Sequence, residues 1–394
     1  MKTFGTISRG IKTPIIKDGD NLAKIVVDSV VKGTKKENVE LHDKDVVAIT
    51  EAVVGISQGN YASVEQIAKD IKNKFGNNTV GVVFPILSRN RFSMLLKGIS
   101  LGAKKLVIQL SYPNDEVGNE LVEEKTFYAK KIDSYNTSFT GDEFNKLFNH
   151  PTHPFTGINY IDLYKEYGGK NTKIIVSNNP NEILKYTKYV IAADIHTRER
   201  TKQILLANGA KKVLTLCEIM NESVDGSGYN SVYGLLGSNK STEQRVKLFP
   251  EPQKAQALVE KIQQDLYKKT GKKIEVMVYG DGAFKDPVGK IWELADPVVS
   301  PAYTSGLVGT PNELKLKFLS DNKFKNLTGK ELIKAMQKEI KSKSKNLKGS
   351  MATQGTTPRR YVDLLGSLAD LTSGSGDKGT PVVLIQNYFE NYAD

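Results

Sequence analysis

Apolar residues follow two rhythms along this chain. Continuous runs rich in valine and isoleucine, "DVVAITEAVVGI" (45–56), "TVGVVFPIL" (79–87), "KKLVIQLSY" (104–112), "TKIIVS" (172–177), "KYVIAADI" (188–195) and "KKVLTLCEI" (211–219), predict strands buried on both faces. Between them, apolar residues recur at helical spacing. "SVEQIAKDIKNKFG" (63–76) opens on a serine cap, and "RFSMLLKGISLGA" (91–103) follows the second strand. The segment from about 112 to 170 breaks the rhythm with Asn, Thr, Gly and Pro in "YPNDEVGNE" and "NTSFTGDEFNKLFNHPTHPFTGINY", which predicts long loops carrying short helices. Regular pattern returns afterwards. A helix is expected between Pro250 and Gly271, a strand in "IEVMVYGDGAF" (274–284), a capped helix in "TGKELIKAMQKEIKSK" (328–343), then the helix "YVDLLGSLADL" (361–371) and the strand "VVLIQ" (382–386). The alternation is that of an α/β chain with mixed sheets.

Length divides this pattern. At 394 residues the chain exceeds what one hydrophobic core usually fills, so two domains, or one with a large insertion, are expected. No stretch has the apolar length of a membrane helix, and "MKTFGTISRGIKTPII" lacks a signal-type apolar core, which predicts a cytoplasmic protein. The single cysteine, Cys217, excludes internal disulfides and cysteine-cluster zinc sites and reads as a buried core thiol.

Charge narrows the partners. The net charge of +12, from 56 Lys and Arg against 44 Asp and Glu, favours anionic ligands. The only dense basic run, "QKEIKSKSKNLKG" (337–349), has no interleaved aromatics and is expected to be a solvated helix end, not a nucleic-acid groove.

Candidate chemistry sits at strand ends. The strand at 274–279 delivers Asp281 between Gly280 and Gly282, where it either meets Mg²⁺ or Mn²⁺ or forms an ordinary Asp-Gly turn. "SGSGDKGTP" places Ser373, Gly374, Ser375, Gly376, Asp377, Lys378 and Gly379 between a helix and a strand, as a phosphate cradle or a pliable surface turn. It is not the G-x-x-x-x-G-K-[ST] loop, because spacing and element order differ. "SRNR" carries Ser88, Arg89, Asn90 and Arg91, and "DIHTR" carries Asp194, His196, Thr197 and Arg198. Arginines there suit a phosphate or carboxylate, and the plain alternative is helix ends facing solvent. His150 and His153, bracketed by prolines, make a poor metal pair. No G-x-G-x-x-G follows a strand and no G-x-S-x-G elbow is present.

Three separated pieces together resemble the coenzyme F-420-0:L-glutamate ligase family, the γ-glutamyl ligases of deazaflavin coenzyme synthesis. "TPIIKDGDNLAKIV" (13–26) with "KDVVAITEAVVGISQGN" (44–60) is similar to that family's Leu-Pro-x-Ile turn, "GDDLA" helix start and "VVSKAEG" strand and turn. "YGLLGSN" (233–239) and the helix and strand of 248–284 resemble its "GxDASN" and "DT-GR" pieces, and "LADLTSGSGDKGTPVVLIQ" (368–386) resembles its last helix, glycine loop and strand. The resemblance implies a ligase-like core formed by 1–80 and 226–394, with 81–225 an inserted or diverged α/β region.

It further implies that a nucleotide, GTP or ATP, activates a carboxylate as an acyl phosphate that the amine of L-glutamate attacks, with Mg²⁺ or Mn²⁺ neutralising the transferring phosphoryl group, in a homodimer. Carried over, Asp281 is the metal ligand and a catalytic residue, and Thr13, Pro14, Ile15 and Ile16, Ser238 and Asn239, and the 373–379 loop contact the nucleotide. The chain departs from the family pattern where the second metal-binding Asp falls on Leu236, the Lys on Ile56, the Glu on Gln58, and a Thr on Gly282. Glu51, Asp286 or Arg198 are the substitutes the sequence offers, with Glu51 as a second catalytic residue and Arg89, Arg91, His196 and Arg198 for the substrate. The expected function is amide ligation of glutamate to a carboxylate acceptor resembling coenzyme F-420-0 or folate. The alternative is a non-catalytic protein binding a nucleotide or another anionic small molecule on the same scaffold.

Overall fold

The computed structural model describes residues 3–115, 120–154, 156–195, 197–280, 284–286, 291–293, 300–354, 359–373 and 376–394, with only the backbone at 284–286 and 291–293. Two large sheets organise them. The first has five strands in the order Ile7–Ile11, Val382–Gln386, Val46–Thr50, Glu275–Tyr279, Ala302–Tyr303. Its central strand, Val46–Thr50, runs parallel to Glu275–Tyr279 and antiparallel to Val382–Gln386. Alternation explains why its strands read as continuous apolar runs. Val47, Ile49, Val276, Val278, Val382 and Leu384 pack under the helices Leu22–Lys36 and Pro252–Thr270, whereas Val46, Ala48, Met277, Val383 and Ile385 pack against Tyr361–Thr372.

The second sheet has six strands in the order Phe139–Thr140, Thr172–Val176, Lys105–Leu110, Thr79–Val83, Tyr189–Ala192, Lys212–Thr215. All are parallel except the first. The sequence between 79 and 215 thus supplies every strand of this sheet, while strands from both ends of the chain build the five-stranded one. A small antiparallel sheet, Asn239–Thr242, Arg245–Lys247 and Tyr61–Ser63, stands apart from both.

Helix ends follow local chemistry. Ser63 accepts from the Gln66 backbone N–H while the Gln66 side chain accepts from the Ser63 N–H, closing a capping box on Val64–Phe75. Glu251 caps the start of Pro252–Thr270, and Gly271, at φ +69°, ends it. The helix Gly329–Ser342 leads into the exposed basic run as expected, and the loops of 112–170 carry the short helices Glu124–Ala129, Gly141–Leu147 and Tyr160–Gly168.

Three sequence expectations need correction. The run 45–56 is not one strand: it ends at Thr50, where its register partner Tyr279 also ends, and Glu51–Ser57 is a helix that turns Val54 back into the core. The run 211–219 stops as a strand at Thr215, because a capping box between Thr215 and Glu218 starts a single 3₁₀ turn, Leu216–Glu218. Cys217, on that turn, is only half-buried, at the margin of the apolar cluster.

Candidate active site

The parallel pair Val46–Thr50 and Glu275–Tyr279 ends at one edge of the five-stranded sheet, with Thr50 opposite Tyr279. The chain then diverges, and the polar side chains that follow gather there. Tyr279 is buried, its hydroxyl bonded to the side chains of Ser373 and Thr50, and burial pushes its pKa up to about 12. It is a neutral hydrogen-bonding group at working pH. Ser373 also donates to the Thr380 carbonyl, which closes the glycine loop into a ring, and Thr50 N–H donates to the Pro381 carbonyl at 3.0 Å. On the outer side, the Thr13 N–H donates to the Gly379 carbonyl at 3.3 Å. Gly379, at φ +64°, holds a left-handed conformation costly for other residues. The edge therefore joins the 13–16 turn to the 373–380 loop across more than 350 residues of sequence.

Within this arrangement Pro14, Ile15, Asp377, Lys378 and Gly379 are exposed, and Ile15, at 88% exposure, presents a bare aliphatic side chain to solvent. Ile16 points the other way and is buried in the core. Gly376 also lies in the exposed part of the loop. Asp281, Gly374 and Ser375 lie outside the described residues, as does the side chain of Asp286.

Directly beyond Thr50 sits a buried ion pair. Glu51 Oε2 lies 2.5 Å from Lys247 Nζ, with both side chains less than one-tenth exposed. Lys247 comes from the small sheet, where its register partners are Asn239 and Tyr61. Its aliphatic stem crosses Gly55 so closely that a Cβ there would stand 3.3 Å from Lys247 Cδ and 3.1 Å from the Leu248 carbonyl oxygen. A charged pair withdrawn from water this far is a large local dipole, costly to leave half-made. Asn239 belongs to the same neighbourhood through its pairing with Lys247, while Ser238 is buried with its hydroxyl spent on the Leu235 carbonyl.

The positions where the chain departs from the family pattern have definite surroundings. Leu236 is buried in the apolar cluster of the six-stranded sheet, so the position where the resemblance implies a metal carboxylate holds a core side chain. Ile56 is half-buried against the core of the five-stranded sheet. Gln58 accepts from the Glu251 N–H at 3.0 Å, and its buried amide nitrogen has no hydrogen-bond partner. Lys247 places a lysine ammonium beside the helix in which the family lysine would stand. Sequence reading missed Lys247: "RVKLFP" has no feature that marks its lysine as buried, since only the packing over Gly55 withdraws it from solvent.

The remaining candidates lie on the other sheet. Arg89 and Arg91 follow the Thr79–Val83 strand, and Asp194 and Arg198 follow its neighbour Tyr189–Ala192. His196 lies outside the described residues. Asp194 and Arg198 therefore belong to a different sheet edge from Glu51. His153 Nε2 is buried 3.9 Å from Asp115, and burial lowers its pKa. Among the described residues no three His, Cys, Asp or Glu side chains converge as a metal site, and no helix is long and apolar enough to cross a membrane. Burial raises the Cys217 pKa, which opposes thiolate formation.

No curated protein matches the chain. The family model described as F420-0:Gamma-glutamyl ligase matches residues 10–387, and with the mixed α/β architecture and the joined 13–16 and 373–380 segments already in place, the chain belongs to that family of ligases.

Proposed function

We propose that this enzyme uses a nucleoside triphosphate to activate a carboxylate of an F420-type acceptor and joins it to the amine of L-glutamate, with the reaction centred on the edge formed by Thr13–Ile16, Glu51–Lys247 and the 373–380 loop. The observation that carries the reading is the buried Glu51–Lys247 pair at the end of the central strand, next to a glycine loop with exposed Lys378. The Lys247 ammonium faces a carboxylate in the unliganded protein and is the described cation best placed to meet phosphoryl or carboxylate oxygens. Glu51 holds that ammonium in place and would accept a proton from the glutamate ammonium as a phosphate oxygen takes a share of the lysine. Tyr279 and Ser373 fix the loop and donate hydrogen bonds without changing charge.

A divalent ion, Mg²⁺ or Mn²⁺, and a homodimer remain part of this proposal. The described side chains alone do not fit the ion, because Glu51 is engaged by Lys247 and Leu236 is in the core; Asp281 is the remaining proposed ligand, and no step above depends on the metal. The test is phosphate release from GTP and from ATP with L-glutamate and an F420-0-type acceptor, with and without a chelator. Turnover that needs both substrates and is lost in Lys247→Met supports the reading. Nucleotide binding without turnover, unchanged by Lys247→Met, overturns it and favours a binding protein, a reading to which the core position of Leu236 lends weight.

A further inference from the structure

A lysine-rich segment lies outside both large sheets. It begins after Leu307, which packs with Leu365 and Ala369 on the face of the five-stranded sheet covered by Tyr361–Thr372. Residues 313–354 then close on themselves: Leu314 pairs with Thr353, the Lys315 N–H donates to the Ala352 carbonyl at 2.7 Å, and the Gln354 N–H donates to the Glu313 carbonyl at 2.8 Å. Within 313–348 stand eleven lysines and no arginine, against the four acids Glu313, Asp321, Glu331 and Glu339. That is a surplus of seven in a chain whose whole net charge is +12. Among the described residues, two of these lysines are held by an ion pair or hydrogen bond, Lys323 by Glu339 at 2.7 Å and Lys343 by the Asn312 carbonyl at 2.5 Å. The other nine are left to a partner.

The helix Gly329–Ser342 sorts part of this charge into a row. Lys330, Lys334, Lys338 and Lys341 are all exposed and recur at intervals of four, four and three residues, which sets them along one face over about 16 Å of helix. Met336 and Ile340 are buried on the opposite side. Lys345 and Lys348, also exposed, continue past the helix end. Glu331 flanks the row, and Glu339 is already taken by Lys323. Like charges four residues apart oppose the helix, and a polyanion laid along them removes that repulsion.

Three features select the kind of polyanion. The ridge of a helix offers no groove for a single strand, and neither aromatic of the segment, Phe318 or Phe324, is exposed for a base to stack on. Arginine, which reads guanine and grips phosphate with two bonds, is absent. Bare apolar side chains stand close to the lysines in sequence: Ile333, 37% exposed, precedes Lys334, and Met351, 80% exposed, follows Lys348 by three residues. Such side chains gain nothing from a phosphate backbone and gain burial from hydrocarbon beneath charged headgroups.

We propose that the lysine row of Gly329–Ser342 docks the protein on the surface of an anionic lipid bilayer, with the ammonium groups among the lipid phosphates. The attachment is peripheral, since no helix among the described residues is long and apolar enough to cross a membrane. Each lysine brought to an anionic bilayer strengthens binding about fivefold, so the row acts by number and not by a shaped pocket. The proposal does not depend on the ligase reading. The helix Leu22–Lys36 supplies a control, because it covers the other face of the five-stranded sheet and carries the exposed Lys32, Lys35 and Lys36.

Flotation of the full chain with vesicles of phosphatidylcholine and of phosphatidylglycerol tests it. Binding is expected to phosphatidylglycerol alone, and to be lost between about 0.1 M and about 1 M salt, where the screening length falls from about 10 Å to about 3 Å. The triple variant Lys334→Gln, Lys338→Gln, Lys341→Gln is expected to weaken binding by about a hundredfold. The triple variant Lys32→Gln, Lys35→Gln, Lys36→Gln makes the same change in net charge and is expected to weaken it by less than about threefold. Glutamine keeps the helix propensity of lysine, and thermal melts confirm that both variants fold. RNA and duplex DNA, each added at the phosphate concentration of the vesicles, are expected to leave the protein on the lipid. Binding to neither lipid, equal binding to both, equal losses in the two triple variants, or release from phosphatidylglycerol onto nucleic acid overturns the proposal, the last in favour of a nucleic-acid surface.

Discussion

The two sheets end in polar edges built in opposite ways. At the six-stranded sheet, each polar group follows its own strand by a few residues: Ser88 to Arg91 after Val83, Asp194 to Arg198 after Ala192. At the five-stranded sheet, Thr13, Glu51, Lys247, Tyr279, Ser373 and Gly379 come from almost the whole length of the chain. The first edge is written by local order and parallel topology. The second exists only once both ends of the chain have paired, so its stability and its chemistry are coupled, and disturbing a single contact there should affect both.

The sharpest way to break this comparison is Lys247→Met. It removes the ammonium from a buried ion pair with Glu51, which is expected to cost about 3–5 kcal/mol in urea unfolding as well as ligase turnover. The double variant Glu51→Gln with Lys247→Met should recover most of the stability and none of the turnover. Recovery of both would reduce the pair to a structural element. Next in size is Gly98→Ala in the six-stranded half, where a Cβ would stand 2.6 Å from Ile67 Cγ2 across two packed helices. A loss of about 1–3 kcal/mol is expected, with reduced protection of the 64–102 amides in hydrogen exchange and unchanged turnover per folded molecule. Turnover falling further than the folded fraction would show that the halves are energetically linked.

A pH dependence separates the halves more gently. Burial lowers the His153 pKa from the ordinary 6.5, with Asp115 opposing it more weakly, so the folded state favours the neutral ring. The stability this group leaves intact is fully present above pH 6.5 and is lost as pH falls from there through the depressed folded value. His153→Gln should flatten that part of the stability curve; an unchanged slope would assign the titration elsewhere. The smallest effect expected is that of Lys69→Ala, which removes an ion pair to Asp225 whose partners are each more than half exposed. A change of about 0–1 kcal/mol, fading with salt, is the predicted outcome in the same urea titrations.

Much of the architecture could be read from residue pattern. The capping box at Ser63, Gly271 closing its helix and the buried strands all follow from local rules, as does the strand-end position of Asp194 and Arg198. The errors occurred where a second signal competed with an apolar run. At Thr50 the end of the register, not a loss of apolar character, turned strand into helix, and at Thr215 a T-x-x-E capping box prevailed over strand propensity. The candidate site was legible in part: the 13–16 and 373–379 segments were identifiable, and the structure links them through Thr13 and Gly379.

By itself the sequence determined the α/β class, the caps of helices such as Val64–Phe75 and Pro252–Thr270, and the family of ligases, because capping, periodicity and motif order are carried by residues near one another in the chain. Only the tertiary structure decided that Leu236 belongs to a core, that Lys247 is buried on Glu51, and that the parallel strands between 79 and 215 lie in the order 3-2-1-4-5. Burial and strand order depend on which distant segments exclude water from one another, and no local pattern in a single chain encodes that choice.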